Sequence, residues 1–327
     1  MTKLDWNVLD IDYQKEADRI AQRLREVTAR ELHKRGLVVA ISGGIDSSCS
    51  VALAVRALGP ERVFALILPE RDSSDDSAAR ANILASHLGI RVETVDIAPA
   101  LAAIGCYRAR DEAVRRALPE YGEGWRFKIV IEGGIDGQIN RFRLVAKSPT
   151  GEDVERPLGL SEYLQIVAAT NFKQRIRKMM EYYHADRLNY AVAGTPNRLE
   201  YDQGFFVKLG DGSADFKPIA HLYKTQVFQL AEYLGVPEGI RRRTPTTDTF
   251  SLPQTQEEFY FALPHDRMDL CLYGRNHAVP AAELAPTVGL TPEQVERVYK
   301  DIDPKRRTTR YLHLYPLLAQ DVPEITH

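Results

Sequence analysis

Apolar residues recur at helical spacing through Ile20, Leu24, Val27 and Leu32, so the stretch from Ile11 to Lys34 predicts a charged amphipathic helix ending at Gly36. The period then changes. Leu37 to Ile41 is an unbroken apolar run of strand length, and an apolar helical pattern from Cys49 follows it across a glycine-rich turn and closes at Gly59. The alternation repeats with a second buried strand over 62–69, a capped helix over 73–89 and a third strand over 91–97. Further on, Ser161 to Tyr183 predicts a long helix, 188–195 a strand and 222–235 a helix closed by Gly235. Strands alternating with helices of these lengths imply βαβ units, so the expected fold class is α/β, a doubly wound parallel sheet with flanking helices. Residues 125–157 break that rhythm: they alternate apolar and polar positions around a glycine-rich centre and predict an inserted β-hairpin. An isolated hairpin is marginal in water, so it should pack on its own domain or on a second copy. No internal repeat or clean linker divides the chain, and it reads as one domain over 1–327 with a C-terminal loop and tail from 301.

Composition narrows the partners. With 43 Lys+Arg against 45 Asp+Glu the formal net charge is −2, which argues against a protein that coats nucleic acid. No apolar run approaches the roughly 18 residues that span a bilayer, and the polar N-terminus does not read as a signal peptide, so a cytoplasmic protein without membrane contact is expected. Cys49, Cys106 and Cys271 lie too far apart for a zinc-type spacing and read as reduced, buried side chains.

The strongest chemical signal is strand, SGGIDS, helix between Leu37 and Ala54. Glycines there let the backbone turn and approach a ligand closely, while Ser42, Ser47 and Ser48 set hydroxyls beside the N–H groups of a helix start; together these form an anion site. The loop lacks the Lys-Ser/Thr pair of a Walker A motif. Asp46 stands instead, a carboxylate that suits a phosphate ligand only with a magnesium ion between them.

This loop resembles the pyrophosphate loop of the N-type ATP pyrophosphatases, whose fold is Rossmann-like and of the adenine nucleotide α-hydrolase type. GTPNRLEYDQGFFVKLGDGSADFKPIAHLYKTQVFQLAEYLGVP (194–237), NFKQRIR (171–177) and TPTTD (244–248) narrow the resemblance to the NAD synthetases that use ammonia. It implies ATP-dependent amidation of deamido-NAD to NAD, through an acyl-adenylate, with release of AMP and pyrophosphate. Residue by residue, it implies ATP contacts at Ala40, Ile41, Ser42, Gly43, Gly44, Ile45, Asp46, Ser47, Thr195, Lys224 and Thr246. It implies a Mg2+ site at Asp46 and Glu200, deamido-NAD contacts at Arg175, Lys208, Asp215 and Lys305, and catalytic roles for Asp46, Lys224 and Asp211. Family members commonly carry Gly where Ala40 stands, and Pro304 replaces the His of a His-Lys pair. The resemblance further implies a homodimer with the dinucleotide near the subunit interface, and free ammonia as nitrogen source without a fused glutaminase domain.

Taken singly, several of these residues have plainer readings. Arg175 lies in a helical charge run with Lys173, Arg177 and Lys178, Asp211 and Asp215 could close a tight turn, and Lys224 could snorkel on a helix surface. Phe205 and Phe206 suit a core better than a stacking platform. Their joint order in one pattern favours the enzyme. The alternatives are an adenylating amide ligase for another carboxylate and a tRNA-modifying pyrophosphatase, which the net charge and the absence of CxxC disfavour. The 301–316 segment, with Lys305, Arg306, Arg307 and Arg310, is expected to form a self-repelling basic loop that closes over the substrates.

Overall fold

The computed structural model describes residues 5–132, 141–243, 246, 249–261 and 263–325. The glycine-rich centre expected at 133–138 and Thr244, Pro245, Thr247 and Asp248 lie outside them.

In chain order the elements are α1 (Tyr13–Glu26), β1 (Leu37–Ala40), α2 (Ile45–Leu58), β2 (Val63–Ile67), α3 (Asp75–Leu88), β3 (Arg91–Thr94), α4 (Ala98–Ala103) and α5 (Cys106–Ala117). There follow β4 (Arg126–Glu132), β5 (Arg141–Lys147), β6 (Asp153–Pro157), α6 (Leu160–Leu188), β7 (Ala191–Val192), α7 (Arg198–Gln203), α8 (Lys224–Tyr233) and α9 (Glu238–Arg241). Three helices close the chain: α10 (His265–Asn276), α11 (Ala281–Val288) and α12 (Pro292–Thr309).

Strands β3, β2, β1 and β7 form one parallel sheet in that order. The continuous apolar runs of β1 and β2 are explained by cover on both faces. Leu37 and Val39 pack with α1, α2 and α8, whereas Val38, Phe64 and Leu66 pack with α4, α5 and α6. Edge strand β3 is exposed along its length, and β7 is shorter than its apolar run suggested.

The expected hairpin is present and carries a third strand, giving an antiparallel sheet ordered β4, β5, β6. Phe127, Ile129, Leu144 and Ala146 point one face of it at Ala113, Val114 and Ile166 of α5 and α6, so the apolar face is covered by the chain itself. A separate core joins α10, α11 and α12 to Leu199 of α7. The expected C-terminal loop is corrected: α12 runs through Asp301 and Pro304 to Thr309 before a short 3-10 turn, Arg310–His313. The three cysteines are free and buried. Among the described residues, no helix is long and apolar enough to cross a membrane.

Candidate active site

From β1 the chain passes through α2 to β2 on one side, while β7 lies on the other. A doubly wound sheet opens a crevice at the carboxyl ends of its strands where the order reverses in this way. A cavity of about 270 Å³ lies there, and Ala40, Ile41, Ser42, Gly44, Ile45, Asp46, Ser47, Thr195, Glu200, Asp211, Lys224 and Thr246 all line it. Gly43 does not, but it shapes the turn: its φ is +72° and a Cβ there would stand 2.6 Å from the Ser77 carbonyl oxygen.

The loop holds itself open. Ser48 Oγ donates to the Gly44 carbonyl at 2.7 Å, and the Ser42 N–H donates to Ser47 Oγ at 3.2 Å. Gly44 at the N-cap of α2 supplies no side-chain cap. The first-turn N–H groups therefore keep their capacity to receive an anion, with the helix dipole behind them.

Lys224 is the first residue of α8, is only 1% exposed and is ion-paired with Asp46. Burial works against its ammonium, yet the carboxylates of Asp46 and Glu200 outweigh that and raise its pKa above the usual lysine value. A surface lysine is thereby excluded. Two residues that sequence reading missed build this corner. Asn197, 1% exposed, donates from Nδ2 to Asp46 Oδ1 at 3.0 Å and from its backbone N–H to Glu200 Oε2 at 3.0 Å. Its own Oδ1 caps α7, and the legible signal was Asn followed three residues later by Glu, a capping box. Asp269 of α10, fully buried, accepts from the N–H groups of Lys224 and Thr225 at 3.1 and 2.7 Å and so caps α8 from another element. No local spacing announces it. Removal from water pushes its carboxyl to about 7.

Glu200 accepts a further bond from Gln256 Nε2 at 2.9 Å. Desolvation, reinforced by the like charge of Asp46, pushes the Glu200 carboxyl up to about 8. Among the described residues, no group of three or more His, Cys, Asp or Glu side chains forms a metal cage. The pair nevertheless fits a divalent ion shared with phosphates: two carboxylates are tethered to one asparagine, and one of them has its proton affinity raised by the other. Asp211 accepts from the Val207 N–H at 2.7 Å, and burial raises its pKa above the usual carboxyl value.

A second cavity of about 350 Å³ adjoins the first and shares Glu200, Phe205, Phe206, Asp211, Thr246 and Gln256 with it. Phe205 stacks on Tyr260 at 4.6 Å and lines both cavities. Lys305 reaches only the second cavity. The other three residues implied for the dinucleotide line neither cavity. Arg175 Nε donates to the Lys208 carbonyl at 3.3 Å, Lys208 Nζ donates to the Tyr311 carbonyl at 2.8 Å, and Asp215 accepts from Val192 N–H at 2.7 Å and Tyr182 Oη at 3.2 Å. The basic C-terminal cluster is not self-repelling as expected, because Lys305 pairs with Asp301 at 2.6 Å and Arg306 grips Asp202 through two bonds of 2.6 and 2.7 Å.

Comparison with known proteins agrees with this geometry. The sequence model of the NAD synthase family matches residues 16–120 and 150–309. The chain is 57% identical to an NH3-dependent NAD+ synthetase of Mesorhizobium japonicum, over 97% of this chain and all of that protein. It is 38% identical to one from Thermotoga maritima, over 84% of this chain and 89% of that protein. Among solved structures, the NMN synthetase of Francisella tularensis superposes with a TM-score of 0.66 at 23% identity, over 95% of this chain and all of that one. The NH3-dependent NAD synthetase of Campylobacter jejuni superposes at 0.62 and 21%, again over 95% of this chain and all of that one; at such identities these two speak for the shared fold. Since the matched segments carry both the SGGIDS loop and the Lys224 helix, the chain belongs to the NAD synthase family.

Proposed function

We propose that this cavity carries out the ATP-dependent amidation of deamido-NAD to NAD with ammonia, which makes the protein a ligase forming a C–N bond. The observation that carries the reading is the buried Lys224 ammonium joined to Asp46 beside the glycine loop, with Glu200 tethered to the same Asn197. A plain anion site would have no use for two carboxylates.

A carboxylate is a poor electrophile because expelling oxide is prohibitive, so the nicotinate oxygen first attacks the α-phosphorus of ATP. The bond to the bridging oxygen breaks and pyrophosphate leaves. The α2 first-turn N–H groups and the hydroxyls of Ser42 and Ser47 receive the triphosphate, and Lys224 answers the negative charge that develops on the α- and β-phosphates. Thr195 and Thr246, which line the same cavity, contact ATP. Asp46 and Glu200 would hold Mg2+, which when bound neutralises part of the triphosphate charge. Ammonia then attacks the acyl carbon, AMP departs, and the surplus proton goes to a carboxylate, for which Asp211 with its raised proton affinity is the candidate. Phe205 and Phe206 offer the nicotinate ring an apolar wall that keeps water from the adenylate. Arg175, Lys208, Asp215 and Lys305 contact the rest of the dinucleotide, the first three from the outer face, where a second copy of the chain completes the site as a homodimer.

Incubation with deamido-NAD, ATP, Mg2+ and ammonium tests the reading. NAD, AMP and pyrophosphate should appear in equal amounts. ADP as product, or turnover only with another carboxylate, would overturn it.

A further inference from the structure

Residues 121–149 fall between the two segments that the family model matches, and they contain β4 and β5. What they touch is the stretch that carries Gln256 into the wall of the catalytic cavity. The Phe127 N–H of β4 donates to Ser251 Oγ at 2.9 Å, the Leu252 N–H donates to the Phe127 carbonyl at 3.0 Å, and Gln254 Nε2 donates to the Ile129 carbonyl. Lys128 pairs with Glu258 at 2.9 Å, and the rings of Phe127 and Phe250 lie 5.5 Å apart. Residues 250–254 thus lie along the free edge of β4. That edge would otherwise present unpaired backbone groups to water. Just before this contact, Lys173 Nζ donates to the Thr249 carbonyl at 2.9 Å; just after it, Thr255 bridges to Thr246 and Gln256 reaches Glu200.

We infer that the inserted sheet is a brace which fixes Gln256 as a positioning residue for Glu200, and through Glu200 sets the affinity of the site for the magnesium complex of ATP. Gln256 carries no charge and touches none of the reacting groups assigned above. Its amide donates to Oε1, while Oε2 is taken by the Asn197 N–H. Two neutral donors on opposite oxygens hold the carboxylate in one rotamer. Glu200 itself lines the cavity. Asn197 belongs to the parallel-sheet body, but Gln256 owes its place to the contacts with β4. The insertion therefore contributes to the site without lending a residue of its own to it. This rests on the role given to Glu200 above.

The test reads Mg2+ dependence rather than activity alone. In the full-length enzyme, Gln256→Leu should raise the Mg2+ concentration for half-maximal NAD formation about tenfold, as expected for losing one hydrogen bond to a charged group, and leave KM for deamido-NAD nearly unchanged. Calorimetric titration of Mg2+ with α,β-methylene-ATP should show the same weakening without turnover. Gln256→Asn should fall between. Ser251→Ala combined with Gln254→Leu, which loosens the brace without altering the cavity wall, should shift Mg2+ dependence in the same direction by about threefold. Added to Gln256→Leu it should have no further effect, because both act through one contact. Unchanged Mg2+ affinity in Gln256→Leu, or effects of brace and Gln256→Leu that multiply, would overturn the inference. Should Gln256→Leu fail to fold, the brace variant decides alone. The calorimetric arm keeps the two readings apart: it reports on Gln256 even if the enzyme makes no NAD, whereas that failure would strike the proposed reaction only.

Discussion

Lys224 and Lys208 carry the same ammonium into opposite surroundings. Lys224 is buried and bonded to another member of the site, with Asp46, Asn197 and Glu200 forming one connected group around it. Lys208 is half-buried and lines neither cavity, its Nζ on the Tyr311 carbonyl and over the Tyr311 ring at 5.2 Å. A buried ammonium without its partner is costly, so the ATP half of the site must be complete when the chain folds. A half-buried lysine on a backbone carbonyl, with its bond open to water, gives up little when it turns elsewhere. On the assignment proposed above, the difference teaches that the ATP half is already built within this chain, and that the dinucleotide half would be assembled around its ligand.

Substitutions in the preformed half should have the largest effect. Lys224→Met and Asp46→Asn should each reduce kcat/KM by about a thousandfold or more, roughly 4 kcal/mol of transition-state stabilisation. Lys224→Met should also lower the melting temperature, because it leaves Asp46 and Glu200 facing each other uncompensated. Steady-state kinetics beside thermal melting reads both. The comparison breaks if Lys208→Ala costs as much activity as Lys224→Met.

The next test uses pH. Glu200 and Asp269 have folded pKa values of about 8 and about 7, above the ordinary carboxyl values of 4.5 and 3.8. Across that window the folded state keeps protons that the unfolded chain has released, so stability should fall as pH rises toward 8. Glu200→Gln cannot titrate. Its melting temperature should therefore drop less than that of the wild type between pH 5.5 and 8.5, while its activity falls by orders of magnitude. Parallel melting curves for the two proteins would remove the raised pKa from the account.

What the sequence disclosed follows the same division. β1, α2, β2 and α3 were legible because a parallel strand covered on both faces must be apolar throughout, and the loop that follows β1 carries a motif with its own backbone chemistry. Asn197 could have been found from its capping box, although not its reach to Asp46, which is 151 positions away in sequence. Asp269 and Gln256 were illegible, because they act on groups in other elements and no local period marks them. The third inserted strand was missed for a different reason. β6 is mostly exposed, with only Val154 joining the core below, so it lacks the alternation that reveals a half-buried strand. The C-terminal segment misleads because its clustered cations, Lys305, Arg306, Arg307 and Arg310, suggest a self-repelling loop, whereas α12 continues through Pro304 on the packing of Val295, Val298, Tyr299 and Ile302.

In the assembled half, Arg175→Ala and Lys208→Ala should each raise KM for deamido-NAD about tenfold, the value of a single charge-assisted bond, with KM for ATP almost unaltered. Neither change should shift the melting temperature much, since Arg175 gives up one bond to a backbone carbonyl and Lys208 one such bond and its place over the Tyr311 ring. Equal changes in both KM values would mean that the two halves are not separable.

Lys305 sits between the two regimes, and its replacement should have the smallest effect on catalysis. Its side chain is 12% exposed, pairs with Asp301, donates to the Tyr260 carbonyl at 2.6 Å and lies over the Tyr260 ring, so a ligand must compete with three existing contacts. Burial lowers its pKa against the pull of Asp301, which further weakens it as a standing cation. Lys305→Ala should raise KM for deamido-NAD only about threefold and leave kcat near wild type, but it should cost measurable stability, because the Tyr260 carbonyl and Asp301 both lose their partner. Lys305→Met separates the two contributions: it keeps the apolar stem over Tyr260 and should recover part of the melting temperature without recovering KM. A larger KM effect for Lys305→Ala than for Lys208→Ala, with no loss of stability, would move Lys305 from the preformed wall of the second cavity into the ligand-assembled half.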